Sequence, residues 1–342
     1  MISGRRPSFR FISIAMVLAA GVSAGCAVSG GAPRRRAGSR VGGVEIAVVV
    51  AEGKAAESAQ AGNFRGDLEI VEIGGRKAAV NRVSLEDYVK GVLPGEVSPS
   101  WPPEALKAMA VVARSYAWSK LDAAGDGRPR NGKYHLLSDV RDQCYCGLAC
   151  EDGRSNAAAE ETEGLVLFHG GRAFCSFNHS CCGGATEDVR EVWGGPRNTP
   201  LGGVDCRWCR SSAHYGPWIL IIDKAALGRR LKPVLGGGPV RKVEIMGTTG
   251  SGRAGPVRVA SEAREAVVTA AKLREMIGYN DLRSARFEVW DRGEEFEFRG
   301  KGWGHGVGLC QEGARAMAEN GYGWREIVET YFPGVEIGRA KR

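Results

Sequence analysis

This sequence of 342 residues lacks a long apolar run, an internal repeat and any acidic residue in its first 40 positions. Each absence excludes a class of structure or limits the charge of a segment. A membrane-spanning helix needs about 20 apolar residues, and the apolar run near the start, Phe11–Val22, has only 12. No fixed-period repeat is present, which argues against a solenoid or a propeller. Acidic residues are absent from positions 1–40, so this segment carries charge of one sign only.

The net charge of +8 comes almost wholly from that first segment. It contains seven arginines, and subtracting them leaves +1 for the rest of the chain. A nearly neutral folded part gives little support to nucleic-acid binding, which requires a basic surface. The 50 glycines indicate a turn-rich globular protein rather than a helical bundle.

Residues 1–26 have the pattern of an export signal. Arginines precede the apolar run, and Ser23–Cys26 (SAGC) has small residues before a cysteine, which predicts a lipoprotein cleavage site with Cys26 as the lipidated first residue. Such sites usually have leucine where Ser23 stands, so cleavage near Ala24 or Ala27 without lipidation is the alternative. Either route predicts an exported protein of the cell envelope. Residues 27–40 are predicted to be a flexible basic linker that can lie against anionic lipids.

Residues 41–338 predict one α+β domain, because strands and helices mix without a regular β-α-β order. Val44–Ala51 is predicted to be a buried strand. Hairpins with glycine turns are predicted at Phe64–Val83, Gly164–His179, Lys242–Ala260 and Arg286–Arg299. Helices are predicted from the capping-box sequence at Ser84 to Gly91, and at Pro103–Leu121, Ser155–Glu163, Asp223–Leu231, Ala271–Ile277, Gln311–Glu319 and Trp324–Tyr331.

Glu96 is the strongest candidate for a catalytic residue. It lies in Gly91–Pro102 (GVLPGEVSPSWP), a turn predicted between two helices and rich in apolar residues. Few groups there keep a carboxylate ionised, so its pKa should rise, as a catalytic acid requires. An ordinary solvated glutamate is the alternative.

Several stretches of the chain, in order, resemble the stage II sporulation protein D family, which includes the amidase enhancers. They are Gly91–Lys120, Asn178–Thr186 (NHSCCGGAT) with Glu191–Gly194 (EVWG), Gly300–Ala314 (GKGWGHGVGLCQEGA) and Trp324–Gly334 (WREIVETYFPG). The resemblance covers about residues 41–337. Residues 218–282 carry none of these stretches and are interpreted as an inserted subdomain.

The resemblance implies a lytic transglycosylase that cuts peptidoglycan glycan strands with Glu96 as its acid and base. Such an enzyme needs no attacking water, because the C6 hydroxyl of the sugar closes a 1,6-anhydro ring. One carboxyl group can therefore suffice, although Asp139, Asp142, Glu187 and Asp188 remain candidate partners. The same resemblance is compatible with a non-catalytic enhancer that binds the wall or an amidase.

The resemblance also implies residues that support Glu96 or line a glycan cleft. They are Arg114, Trp101, His179, Ser180, Trp303, His305 and Gln311. Each has a structural alternative: Arg114 can pair with an acid in the core, the tryptophans can pack in the core, and His305 can be a structural residue of a tight loop.

Cysteine is well represented, with ten residues, and nine remain when Cys26 is set aside. Cys206 and Cys209 form a C-x2-C pair, a common half-site for zinc. Cys182 and Cys310 lie in stretches that the resemblance places beside Glu96, so these four cysteines are predicted to form a closed, structural zinc site. Two disulfides are the alternative in an exported protein.

A second set of zinc ligands is conceivable, since zinc is associated with the family through histidine and cysteine residues that follow the motif glutamate. Here these residues are His135, Cys144, Cys146 and Cys150, with Cys175 and Cys181 able to form disulfides with members of the set. If one coordination position were open, such a site would make the protein a zinc hydrolase, the weakest alternative. No organic cofactor is expected.

Overall fold

The computed structural model describes residues 44–122, 132–196 and 198–340, and its fold is α+β as predicted. The predicted export signal, with Cys26, and the predicted basic linker at 27–40 lie outside the described residues. Among the residues that are described, no helix has both the length and the apolar character that crossing a bilayer requires.

The helices follow most of the predicted segments. They are α1 (Lys54–Glu57), α2 (Leu85–Glu96), α3 (Pro103–Asp122), α4 (Gly153–Glu161), α5 (Val189–Trp193), α6 (Lys224–Arg230), α7 (Lys232–Leu235), α8 (Ala270–Ile277), α9 (Gln311–Glu319) and α10 (Trp324–Tyr331). The two last helices have the predicted bounds.

The strands form several small sheets. They are β1 (Glu45–Glu52), β2 (Asp67–Ile73), β3 (Arg76–Ser84), β4 (Leu136–Leu137), β5 (Leu165–His169), β6 (Arg172–Ala173), β7 (Asn178–His179), β8 (Trp218–Asp223), β9 (Lys242–Ile245), β10 (Pro256–Ala260), β11 (Glu265–Thr269), β12 (Phe287–Asp291), β13 (Glu295–Gly300), β14 (Leu309–Cys310) and β15 (Glu336–Arg339). The sheet orders are β2-β3-β1-β4, β11-β10-β9, β12-β13-β8, β15-β5-β6 and β14-β7.

The predicted hairpins are present, each closing through a glycine-containing connection between antiparallel strands. β2 and β3 pair around Gly74 and Gly75, and β12 and β13 pair from Phe287 opposite Gly300 to Asp291 opposite Phe296. β7 departs from the predicted second hairpin. It leaves β6 and pairs in parallel with β14, with Asn178 opposite Leu309 and His179 opposite Cys310. This pairing brings two separate sequence stretches side by side.

Helix α2 is longer than predicted, and the expected end at Gly91 is wrong. Ser84 caps its start by accepting a hydrogen bond from the backbone of Asp87, and the helix then continues through Pro94 to Glu96. Gly91 does not end the helix; a glycine is required there because another chain segment packs closely against it. A Cβ atom there would lie 2.5 Å from Cε2 of Tyr145, whose ring packs against the helix.

Two large hydrophobic cores and one small cluster, which is formed by Ala47, Val49, Ala78 and Val80 of β1 and β3, lie in the described residues. The first surrounds α3, which packs against α2, α4, α9, α10 and β5. The second contains buried residues from Trp218 to Phe298 and includes strands β8, β12 and β13 of one sheet. It therefore extends past residue 282, where the predicted inserted subdomain ended.

Candidate active site

Glu96 is the last residue of α2, so it lies on a helix and not on a turn between helices. Val97 follows in an extended conformation and ends the helix. Gly95 lets the backbone of Cys144 approach, because a Cβ atom at Gly95 would overlap the carbonyl oxygen of Cys144. The end of α2 and the segment around Cys144 are thus in direct contact, and Glu96 lies at that contact.

Two neutral donors hold the carboxylate of Glu96. The backbone N–H of Cys144 donates to Oε1 at 2.9 Å, and Nε2 of Gln311 donates to Oε2 at 3.1 Å. The same Gln311 nitrogen donates to Oδ1 of Asn178 at 2.7 Å. Because β7 pairs with β14, Asn178 and Gln311 come together, and they orient the carboxylate from one side.

Burial raises the pKa of Glu96, and the hydrogen bonds from Cys144 and Gln311 offset part of this rise. Within the described part of the chain, no lysine or arginine forms a salt bridge with Glu96. Burial also raises the pKa of the Cys144 thiol to about 12, so this neighbour is neutral as well. The surroundings of Glu96 thus favour its protonated form, which is the form that a general acid needs.

The four other acidic residues considered from the sequence are held by other partners. Arg141 pairs with Asp139, and Arg190 pairs with Asp188. Asp142 accepts hydrogen bonds from the hydroxyl of Tyr116 at 2.6 Å and from the backbone of Leu137.

Glu187 is the fourth of these acids, and it is buried. Its Oε2 accepts hydrogen bonds from the hydroxyls of Thr249 and Ser251 at 2.6 and 2.8 Å. These contacts of the four acids involve groups other than the Cys144 N–H and the Gln311 amide, which hold Glu96. The charges of Asp139 and Asp142 still act beside Glu96, because Asp139 helps to raise the pKa of Cys144 and Asp142 helps to raise that of Tyr88.

Arg114 pairs with Glu86 and not with Glu96 among the described residues, and its role in substrate binding stays a prediction. The side chain is fully buried and donates from Nε and Nη2 to the carboxylate of Glu86, with Nη2 2.8 Å from Oε2. It also donates to the carbonyl oxygens of Ala159 and Leu165. Arg114 joins α2, α3 and α4 as an ion pair of the core, which was the structural alternative.

His179 and His305 lie together in an aromatic cluster with Phe177 and Trp193, in which His179 is buried, Phe177 and His305 are half-buried, and Trp193 is exposed. Their ring centroids are 5.7 Å apart, and the ring of Trp193 is 5.0 Å from that of His305. Nδ1 of His305 accepts a hydrogen bond from the backbone of Val307, and burial lowers the pKa of His305 to about 3. Both histidines are neutral near pH 7, because burial also lowers the pKa of His179.

The remaining predicted cleft residues are partly exposed. The guanidinium of Arg315 lies 5.6 Å from the ring of Trp101, and that of Arg283 lies 4.7 Å from the ring of Trp303. Oγ of Ser180 is 3.1 Å from Nδ1 of His214. Of the predicted supporting residues, Gln311 is the one that contacts Glu96 directly.

Asn178 is the residue that the sequence analysis missed, although its neighbours His179 and Ser180 were chosen. A signal was available in the motif itself. Side chains alternate between the two faces of a strand, so residues 178 and 180 share one face while His179 lies on the other. His179 faces the core, as its 4% exposure shows.

Cys182, Cys206, Cys209 and Cys310 meet in space, and each of them is buried. Their sulfur atoms all lie within 4.8 Å of one another. Cys310 immediately precedes Gln311, so this cluster lies one residue away from the residue that holds Glu96.

The second candidate set of metal ligands is not brought together. Cys146 and Cys150 form a disulfide, so their sulfurs are not free as thiolate ligands. Nδ1 of His135 accepts a hydrogen bond from the backbone of Ala47, and Cys144 lies beside Glu96. These residues do not fit a zinc site, and the zinc-hydrolase alternative loses its ligands.

The protein is thus an α+β protein in which a glutamic acid at a helix end is oriented by hydrogen bonds and has a pKa raised by burial. Comparison with known families agrees with the resemblance found in the sequence. Residues 74–169, which include Glu96, match the family model described as Stage II sporulation protein. Residues 220–308 match a separate model described only as a domain of unknown function.

Similar proteins extend over most of the chain. An uncharacterized protein of Brachyspira hyodysenteriae is 29% identical over 80% of this chain and 72% of its own length. Stage II sporulation protein D of Bacillus amyloliquefaciens is 29% identical over 77% of this chain and 76% of its own length. The amidase enhancer of Bacillus subtilis is 27% identical over 73% of this chain but only 40% of its own length. These similarities support the resemblance of the chain to the stage II sporulation protein D and amidase enhancer family.

Proposed function

We propose that this protein is a lytic transglycosylase that cleaves the glycan strands of peptidoglycan with Glu96 as its acid and base. The observation that carries the proposal is the setting of Glu96. Its carboxyl group is fixed by two neutral donors, is not paired with a cation among the described residues, and has a pKa raised by burial. Similarity to the sporulation protein family supports a cell-wall-related role.

The chemistry follows from a proton that moves twice. Protonated Glu96 gives its proton to the glycosidic oxygen as the bond to C1 of the N-acetylmuramic acid breaks and positive charge develops on that sugar. The resulting carboxylate takes the proton of the C6 hydroxyl of the same sugar. The C6 oxygen then bonds to C1, which gives a 1,6-anhydro end and restores the acid.

The arrangement around Glu96 suits these two steps. The backbone N–H of Cys144 and the amide of Gln311 stabilise the carboxylate between the steps without ion-pairing it, so it remains basic enough to accept the second proton. A hydrolase normally uses a second carboxylate that activates water or attacks the sugar. Asp139, Asp142, Glu187 and Asp188 are each engaged elsewhere.

The test uses the purified protein, glycan strands stripped of peptide, and mass spectrometry of the released ends. We expect 1,6-anhydro-muramyl ends from the unmodified protein. Glu96→Gln should lower their release by about 10²-fold or more, because it removes the proposed proton donor while keeping the size of the side chain. Reducing ends in place of anhydro ends would show hydrolysis and contradict the proposal.

Glu319→Gln is the matched control. It makes the same chemical change on an exposed residue of α9, the helix that begins with Gln311. Its activity should equal that of the unmodified protein. A melting temperature of Glu96→Gln that is no lower than that of the parent would show that its loss of activity is chemical and not a loss of fold.

A second candidate function is a non-catalytic enhancer of a cell-wall amidase, favoured by the similarity to the Bacillus subtilis amidase enhancer. The same samples separate the two functions. An enhancer would release no anhydro ends alone, would accelerate an added amidase, and would keep that effect in Glu96→Gln.

We further propose that the protein is exported and attached to the membrane through lipid on Cys26, which places it where peptidoglycan is accessible. The basic residues before Phe11–Val22 and the sequence SAGC support this. Labelling cells with a fatty acid should mark the protein, and Cys26→Ala should remove the label. Labelling that persists in this variant would contradict the anchor.

A further inference from the structure

The four buried cysteine sulfurs have the spacing of ligands around one metal ion. Tetrahedral zinc with sulfur ligands at about 2.3 Å requires sulfur atoms about 3.8 Å apart. Here Sγ of Cys182 and Cys209 are 3.4 Å apart, those of Cys206 and Cys209 are 3.9 Å apart, and no pair among the four exceeds 4.8 Å. A disulfide would require about 2.05 Å.

The groups around the cluster are those that thiolates require. The backbone N–H of Cys182 and that of Gly313 point at Sγ of Cys310 at 3.3 and 3.4 Å, and the N–H of Gly184 points at Sγ of Cys182 at 3.4 Å. The hydroxyl of Tyr331 lies 3.2 Å from Sγ of Cys206. Sulfur in a thiol is a weak acceptor, whereas a metal-bound thiolate accepts such hydrogen bonds well.

The local backbone is shaped to let these donors approach. Gly313 has no side chain where a Cβ atom would lie 3.0 Å from Sγ of Cys206 and overlap the hydroxyl of Tyr331. Cys310 caps the start of α9, so its sulfur lies at a helix N-terminus, where negative charge is stabilised.

We propose that Cys182, Cys206, Cys209 and Cys310 bind a zinc ion in a closed tetrathiolate site. All four positions are filled by protein, so the ion is structural and activates no water. The site joins three segments that are distant in sequence: the strand end after β7, the turn with the C-x2-C pair, and the start of α9.

Arg253 supplies positive charge beside this site from the second core segment. Zinc with four thiolates carries a net charge of about −2. The side chain of Arg253 is 1% exposed and donates to the carbonyl oxygens of Cys182 and Ala185 at 2.7 and 2.8 Å. A cation held so close to a ligand residue lowers the cost of burying the anionic site.

The site also has a consequence for Glu96, and this step alone rests on the proposed function. Zinc fixes Cys310, and with it the first turn of α9, where the N–H of Glu312 donates to the carbonyl of Ser180. Gln311 lies in that turn and donates to Glu96. Loss of the metal should therefore loosen Gln311 and reduce turnover in addition to lowering stability.

The experiment is a metal analysis of the purified full-length protein, and it does not depend on activity. We expect one zinc per chain by elemental mass spectrometry. Replacement of the zinc by cobalt(II) should give the visible bands and thiolate charge-transfer absorption of a tetrahedral four-sulfur site. Strong chelation should lower the melting temperature. Intact mass under denaturing conditions should show one disulfide, that of Cys146 and Cys150.

Cys206→Ser and Cys310→Ser should each lose the bound zinc, while Cys175→Ser, at a half-buried cysteine outside the cluster, should keep it. Should a ligand variant not fold, the cobalt spectrum of the unmodified protein still decides the question. A metal-free protein whose mass lacks the hydrogens of two further disulfides would overturn the proposal, as would iron in place of zinc. Zinc binding without transglycosylase activity would leave the site intact and contradict only the proposed function.

Discussion

The protonation state of Glu96 is set by its burial and by the neutral groups that contact it. Burial disfavours its ionised form, and the donors that contact it, the N–H of Cys144 and the amide of Gln311, are neutral. An arginine in place of Gln311 would hold the pKa low and leave the residue without a proton to give. The amide of Gln311 positions the carboxyl group and lowers its pKa by less than burial raises it.

The raised pKa of Glu96 predicts how stability depends on pH. A pKa that is higher in the folded than in the unfolded chain contributes stability below the unfolded value, and this contribution is lost as pH rises through the folded value. Glu96→Gln cannot ionise. We therefore expect its melting temperature to match that of the parent near about pH 4 and to exceed it at about pH 7.

Asp139→Asn is the control with the opposite sign. The hydrogen bond from Arg141 lowers the pKa of Asp139, so its contribution to stability is present at neutral pH and is lost as pH falls through the folded value. This variant should melt below the parent at about pH 7 and approach it in acid. A Glu96→Gln variant that melts lower than the parent at neutral pH would show that Glu96 is ionised and well solvated.

Arg114 leads to a prediction about stability rather than catalysis. Arg114→Met removes a fully buried cation from Glu86 and its hydrogen bonds from the carbonyl oxygens of Ala159 and Leu165, which should lower the free energy of unfolding by about 3 kcal/mol. Arg141→Ala breaks an exposed pair with Asp139 and should cost less than about 1 kcal/mol. Denaturant titration measures both. Activity per folded molecule should not change in Arg114→Met, and a specific loss of activity would support the predicted role of Arg114 in substrate binding.

How much of the site could be predicted differs from residue to residue. Glu96 was identifiable because its apolar, proline-containing neighbourhood is local in the sequence. The partners of Arg114 were not, because Glu86 and the carbonyl oxygens of Ala159 and Leu165 meet it only through packing of three helices. Asn178 reaches Gln311 through a parallel pairing of two-residue strands that no sequence period encodes.

At the scale of elements, two helical glycines have different surroundings and should therefore respond differently to substitution. Gly91 lies inside α2, against Tyr145, and Gly153 begins α4 with nothing within 4 Å of an added Cβ. The same substitution should therefore have opposite effects at the two positions.

Gly91→Ala should destabilise the protein by about 1–3 kcal/mol, because overlap with the ring of Tyr145 exceeds the gain in helix propensity. Gly153→Ala should be neutral or stabilise by up to about 1 kcal/mol, since it only restricts the unfolded chain. Thermal or denaturant unfolding of the two variants measures the difference. A stabilising Gly91→Ala would mean that the contact between α2 and Tyr145 is loose.

Gly91 also shows why the end of α2 was mispredicted while α9 and α10 were predicted with the observed bounds. The last two helices have amphipathic patterns and clear starts, at Cys310 and Gly323, so local signals suffice. In α2, Gly91 and Pro94 resemble terminating signals. Gly91 is instead required by the close packing of Tyr145, which comes from a segment about 50 residues away in sequence.

At the scale of the whole molecule, buried polar contacts join the two cores. Glu187 accepts hydrogen bonds from Thr249 and Ser251, and Arg253 donates to the carbonyl of Cys182. The two hydrophobic cores that these contacts join have no residue in common. Buried polar junctions depend on every partner, because a donor or acceptor left without one carries its full desolvation cost.

Glu187→Ala should therefore lower the free energy of local unfolding of the second core more than that of the first. The change removes the acceptor of the Thr249 and Ser251 hydroxyls and a negative charge that acts on Arg253. It should lower the free energy of unfolding by about 2–4 kcal/mol. Hydrogen exchange with mass spectrometry should show faster exchange in β9 and β10 and little change in α3. Glu244→Ala, which removes an exposed ion-pair partner of Arg258 in the same sheet, should leave both unchanged. Equal acceleration in α3 and in β10 would show instead that the two cores open as one unit, with the junction as part of a single cooperative structure.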